Sequence, residues 1–111
     1  MQHFLLVLTT CSSQKEARKI ARSLVGRRLA ACVNILNARV ESIYQWKGRT
    51  ESAKEFLLIA KTSRGRFSAV RREIERLHSY EVPEIIALPI TAGSPEYLRW
   101  LGECVGGTPR A

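Results

Sequence analysis

The chain has 111 residues, three of them cysteine, and a formal net charge of +8. That length makes one domain, which buries about two-thirds of the surface its unfolded chain exposes and leaves its core a modest margin. An odd cysteine count with no Cys-x-x-Cys pair excludes a disulfide scaffold or a zinc ribbon, and the apolar run from Phe4 to Leu8 is far too short to cross a bilayer.

Met1-Gln2-His3 lacks the cationic opening of a secretory leader, so a cytoplasmic protein with reduced thiols and no membrane partner is expected. The positive charge admits nucleic acid, an acidic surface or anionic metabolites, and selects none of them. Residues 3–10 are short and apolar and carry Val7 and Thr9, which predicts a strand ending at Cys11-Ser12-Ser13. Ser13 followed by Glu16 is a capping box, and Ala17, Ile20, Ala21, Leu24 and Val25 recur at helical spacing, so a helix is expected over 14–28. Strand character resumes at 31–35 and continues through Asn37-Ala38 into 41–46. Lys47-Gly48-Arg49 is the turn, because glycine takes the positive φ that a hairpin needs. The third strand is expected over 55–62. Phe67, Val70, Ile74 and Leu77 make one stripe of a second helix over 64–77. Pro83 stops helix and pushes Val82 to an extended conformation, and 85–90 is the fourth strand. Ser94-Pro95-Glu96 opens a short final helix that buries Tyr97, Trp100 or Leu101, and Cys104. The domain is expected to span 1–105, with 106–111 a frayed tail.

Strand, helix, strand, strand, helix, strand is the order of an α+β, ferredoxin-like split βαβ sandwich, with an antiparallel sheet and two helices on one face. A bare sheet face should alternate apolar with polar residues. Here strand one is apolar on both parities (Phe4, Leu6, Leu8; Leu5, Val7), as is strand three (Phe56, Leu58, Ala60; Leu57, Ile59). Both faces want cover, and the helices of so short a chain supply it for one. Self-association through the open face is therefore expected; the competing arrangement folds the terminal helix under the sheet.

His78, Glu81 and Glu84 crowd around Pro83, together with Tyr80, just before an apolar strand. Proline rules out a shared helix face, so they read as a loop turning His78 and a carboxylate toward one point. Imidazole and carboxylate suit Cu(II), Zn(II) or Mn(II); a structural hydrogen bond from the ring is the other reading of His78. Cys11 lies at the mouth of a helix, where the dipole lowers a thiol pKa, making it the candidate reactive thiol. Cys32, mid-strand among Ala31, Val33 and Ile35, reads as core packing, as does Cys104 on the last helix. Tyr44 and Trp46 share a strand face near a turn and call for cover by another chain or a ligand. Lys61, Arg39 and the Lys47-Gly48-Arg49 turn could rim an anion, although singly each reads as a solvated charge.

Three segments in order carry a resemblance: Arg28-Leu29-Ala30-Ala31-Cys32-Val33-Asn34-Ile35; Tyr44-Gln45-Trp46-Lys47-Gly48 with Glu55 and Lys61-Thr62; and His78-Ser79-Tyr80-Glu81-Val82-Pro83-Glu84-Ile85. On these the chain resembles the CutA divalent-cation tolerance family from Val7 to about Val105. The resemblance implies a tight homotrimer, similar in architecture to PII signalling proteins. It also implies tolerance to copper and other divalent metals, with a metal ion or small ligand at inter-subunit clefts and no catalytic reaction. No obligatory cofactor is implied; a divalent metal ion, copper or zinc, is the candidate ligand. It adds Cys32 to His78 and Glu81 as a metal ligand, with Tyr44, Trp46, Lys61, Tyr80 and Glu84 at the ligand or interface. The family often has proline where this chain has Ser79, a change expected to loosen the backbone at His78.

Two other classes compete. A basic ferredoxin-like domain can bind nucleic acid, but the RNA-stacking pattern is absent from Glu55-Phe56-Leu57-Leu58-Ile59, so no nucleic-acid partner is expected. An acylphosphatase-like hydrolase would cradle phosphate at Cys11-Ser12-Ser13-Gln14, but that loop lacks an arginine.

Overall fold

A computed structural model describes residues 3–106; of the expected tail at 106–111, residues 107–111 lie outside them. Along the chain run β1 (Phe4–Cys11), α1 (Gln14–Gly26), β2 (Cys32–Ile35), β3 (Val40–Trp46) and β4 (Arg49–Ser63). A 3-10 turn (Arg64–Arg66), α2 (Phe67–Leu77), β5 (Ile86–Pro89) and α3 (Pro95–Val105) follow. All strand pairs are antiparallel, in the order β2-β4-β1-β5, with β3 on the first half of β4. This is the expected ferredoxin-like α+β architecture.

The expected continuous strand over 31–46 is broken at 36–39, where the Asn37 side chain takes a 2.7 Å hydrogen bond from Gln14 Nε2. Asparagine favours such turns because its side chain stands in for a backbone partner. The third strand begins at Arg49, six residues earlier than expected. Lys47 (φ 53°) and Gly48 (φ 78°) form a two-residue turn with both residues left-handed, and that geometry continues the strand twist into a ladder at once. Trp46 then pairs with Arg49, and Val40 with Glu55. The polar run Arg49-Thr50-Glu51-Ser52 has no alternation to betray it. β4 thus has 15 residues: its first half builds an arm with β3, and its second half pairs with β1 and β2 in the body of the sheet.

Side chains alternate along a strand, so the register sorts the two sheet faces. Val7, Cys11, Phe56, Leu58 and Ala60 pack under Ala17, Ile20, Ala21 and Leu24 of α1 and Val70 and Ile74 of α2. Val25, expected on this stripe, is exposed. Ser13 caps α1 by accepting the Glu16 N–H at 3.1 Å. The two helices are joined through buried Glu73, which accepts from Ser23 Oγ at 2.5 Å and from Arg76 Nε and Nη2 at 3.0 and 2.7 Å.

Leu6, Leu8, Leu57, Ile59, Ile86 and Leu88 lie on the opposite face. Helix α3 reaches one end of it, where Leu101 and Val105 pack on Phe4 and Ala31. Its last turn is pinned by two arginines: Arg28 donates to the carbonyls of Glu103 and Cys104, both at 3.1 Å, and Arg66 Nε donates to that of Val105 at 2.8 Å. Of the expected burials on α3, Leu101 is buried and Cys104 half-buried, while Tyr97 and Trp100 are exposed. The rest of the face stays open, with Ile86 52% and Leu88 44% exposed.

Candidate functional site

Where the arm leaves the sheet body, a cleft of about 790 Å³ opens between β3 and residues 80–84. Ile43, Tyr44 and Trp46 form one wall, Tyr80, Glu81, Val82 and Glu84 the other, and Thr10 and Glu55 lie at the sheet end. The wall at 80–84 is fixed by what precedes it. His78 Nε2 donates to the Thr10 carbonyl at 2.7 Å, and its Nδ1 accepts the Tyr80 N–H at 3.1 Å. That pair of bonds places the ring proton on Nε2. The His78 side chain has no solvent exposure, and Glu16 Oε2 lies 3.3 Å from its Nδ1. Within one chain the ring is therefore committed to holding the loop, the structural reading of this residue.

The Ser79 N–H donates to Glu16 Oε2 at 3.2 Å. Proline could not make that bond, so the serine fastens the backbone where loosening was expected. The Tyr80 ring lies tilted against the His78 ring with centroids 4.7 Å apart, and its hydroxyl donates to Glu55 Oε2 at 2.6 Å. Burial, reinforced by the Glu55 carboxylate, pushes the Tyr80 phenol well above its usual range. It stays a proton donor. Glu55 is 6% exposed, and among the described residues no Lys, Arg or His pairs with it. Glu55 was not among the residues expected at the site; its signal was the parity it shares with Leu57 and Ile59, which points a carboxylate onto an apolar face.

The remaining candidates are scattered. Cys32 pairs with Lys61, four residues from Leu57, the partner of Thr10. That is about 13 Å along the ladder at a strand's rise, so Cys32 does not meet His78 or Glu81 within the chain. Among the described residues no group of three or more His, Cys, Asp or Glu is placed to hold a metal ion. Cys11 corrects the expectation of a reactive thiol. It is buried in the main core, and burial first, then Glu16 and Glu55, push its thiol up to about 11, outweighing a backbone hydrogen bond at Ser13. The proposed anion rim is dispersed: Lys61 lies 5.9 Å from the Tyr97 ring, Arg39 5.5 Å from Phe56 and Lys47 5.8 Å from Trp46. The α1 N-terminus, satisfied by Ser13 and faced by the Glu16 carboxylate, offers phosphate a poor cradle. No helix among the described residues is long and apolar enough to cross a membrane.

A ferredoxin-like domain with a carboxylate- and aromatic-lined cleft is the class that fold and site define. The particular family follows from comparison: the chain belongs to the CutA1 divalent ion tolerance protein family, whose model matches residues 5–104. It is 48% identical over 101 residues to the divalent-cation tolerance protein CutA of Thermus thermophilus, covering 91% of this chain and 97% of that one. A Protein CutA homolog of Xenopus laevis is 47% identical over 96 residues, which is 86% of this chain but 63% of that relative's length. The solved structure of a divalent cation tolerance protein from Thermus thermophilus superposes with a TM-score of 0.89 at 46% identity, over 96% of this chain and 100% of that one. A structure described as the periplasmic divalent cation tolerance protein CutA from Archaeoglobus fulgidus gives 0.87 at 42%, over 95% and 99%. None of these names is an enzyme name.

Proposed function

We propose that this chain serves tolerance to divalent cations, copper among them, as a cytoplasmic homotrimer that binds a metal ion or small ligand at clefts between subunits and catalyses no reaction. The observation that carries the reading is the uncovered apolar surface. Each large side chain left in water forgoes about 1.5–3 kcal/mol. Of the six on the open face Ile86 and Leu88 are exposed and the other four half-buried, and Ile43, Tyr44 and Trp46 stand exposed on a two-stranded arm of a kind that is marginal alone in water. Neighbouring copies that receive the arm would cover both.

In such an assembly Glu81 and Glu84 offer oxygen ligands to a divalent ion, and Cys32, on the open face of a neighbour, a thiolate suited to Cu(I). His78 holds the wall that presents Glu81. Tyr44, Trp46, Tyr80 and Lys61 line the ligand or the interface. Light scattering should return three chains, and Leu88→Glu should dissociate them; a monomer at micromolar concentration removes the assembly. Calorimetry with Cu(II), Cu(I) and Zn(II) on the wild type, Cys32→Ser and Glu81→Gln/Glu84→Gln tests the site. Equal heats in all three proteins remove it.

A further inference from the structure

We propose that the cleft between the β3–β4 arm and residues 80–84 takes an organic ammonium ion, with Glu55 receiving the charge and Tyr44 and Trp46 covering the apolar part. This rests on the proposed function, taking the cleft as one chain's side of the inter-subunit site, and names a ligand class for it.

The first ground is charge. The chain carries 18 Lys and Arg against 10 Asp and Glu, yet the cleft is lined by Glu55, Glu81 and Glu84 and by no basic side chain. Its floor inverts the sign of the molecule. The second is Glu55 itself, buried to 6% exposure with the neutral Tyr80 hydroxyl as its partner. A hydrogen bond from a phenol orients the carboxylate, and among the described residues no Lys, Arg or His pairs with it. A cation entering the cleft would compensate it.

The third ground selects the kind of cation. A bare metal ion needs several converging ligands, and one chain by itself brings no such group of His, Cys, Asp or Glu together among the described residues. An organic cation needs one carboxylate, aromatic faces for the ammonium and apolar walls for its carbon. The cleft supplies these with Tyr44, Trp46 and Val82, and its volume of about 790 Å³ falls in the usual range for small-molecule sites. Glu81 and Glu84 are exposed and would draw the cation in rather than bind it directly.

Calorimetry with 2-phenylethylammonium and its neutral counterpart 2-phenylethanol tests this on the full chain. Saturable binding of the amine is expected, about tenfold or more tighter than the alcohol. Glu55→Gln should weaken it by a similar factor, and Glu81→Gln/Glu84→Gln should flatten its salt dependence. Should Glu55→Gln fail to fold, Tyr44→Leu carries the test: Tyr44 is exposed, and its loss should weaken the amine several-fold with the fold intact. Equal binding of alcohol and amine, or an amine affinity indifferent to every one of these substitutions, overturns the proposal. So does wild type that binds no amine while Glu55→Gln impairs assembly, which would give the carboxylate to a Lys or Arg of another copy. Zn(II) and Cu(II) titrated in parallel separate the two readings. Metal heats without amine binding sink this inference alone, and amine binding without metal heats sinks the metal reading alone.

Discussion

His78 Nε2 and the Thr10 carbonyl oxygen lie 2.7 Å apart, so the segment after α2 is tied to the last turns of the β1 ladder by the side chain most readily taken for a metal ligand. Removing the ring strands the Thr10 carbonyl and the Tyr80 N–H and leaves a void. His78→Ala is expected to lower stability by about 2–4 kcal/mol and to speed hydrogen exchange at the Ser79 and Tyr80 amides. A variant with the wild-type urea midpoint and unchanged exchange would show that the ring holds nothing.

Glu73 gives the fold its acid sensitivity. Hydrogen bonds from Arg76 chiefly, then from Ser23, with the nearby Arg27 charge, outweigh burial and hold its carboxyl at about 2, against 4.5 unperturbed. Its folded value is depressed, so the unfolded chain binds the extra proton. The stabilisation is complete above about pH 4.5 and is lost as pH falls toward 2. Glu73→Gln should cost roughly 1–3 kcal/mol at neutral pH, and its urea midpoint should converge on the wild type's near pH 2. A difference that stays constant across that window would assign the effect to packing.

Arg28 is a non-glycine residue at φ 61°, where a Cβ costs about 1 kcal/mol. The residue nevertheless caps α3 from the end of α1. Arg28→Ala loses the bonds to Glu103 and Cys104 and keeps the strain, for an expected loss of about 1–3 kcal/mol. Arg28→Gly loses the same bonds but sheds the strain. Thermal unfolding should therefore rank wild type, then glycine, then alanine; alanine equal to glycine would contradict the left-handed backbone.

Cys11 should resist a thiol reagent that labels half-buried Cys104 in the folded protein. The raised thiol pKa of about 11 keeps it protonated, and its burial denies access. Mass spectrometry of timed labelling should find Cys11 modified only at the rate of unfolding; fast modification would restore it as a reactive thiol.

Much of the scaffold was legible because its signals are local. The Ser13–Glu16 cap, the Ala17-Ile20-Ala21-Leu24 stripe and the Lys47-Gly48 turn act over a few residues. The early start of β4 was not legible, since pairing with β3 imposes strand on a polar run. Nor was the break at Asn37, which depends on Gln14, 23 residues away.

The sequence by itself determined the order of elements and an excess of apolar strand residues, through periodicity and turn chemistry that neighbouring residues dictate. Only the tertiary structure decided where the chemistry-bearing side chains stand. It buried Cys11, turned His78 inward onto Thr10, separated Cys32 from both and set Glu55 against Tyr80. Those outcomes follow from strand register and from which helix covers which face, and both arise from contacts between residues far apart in the chain.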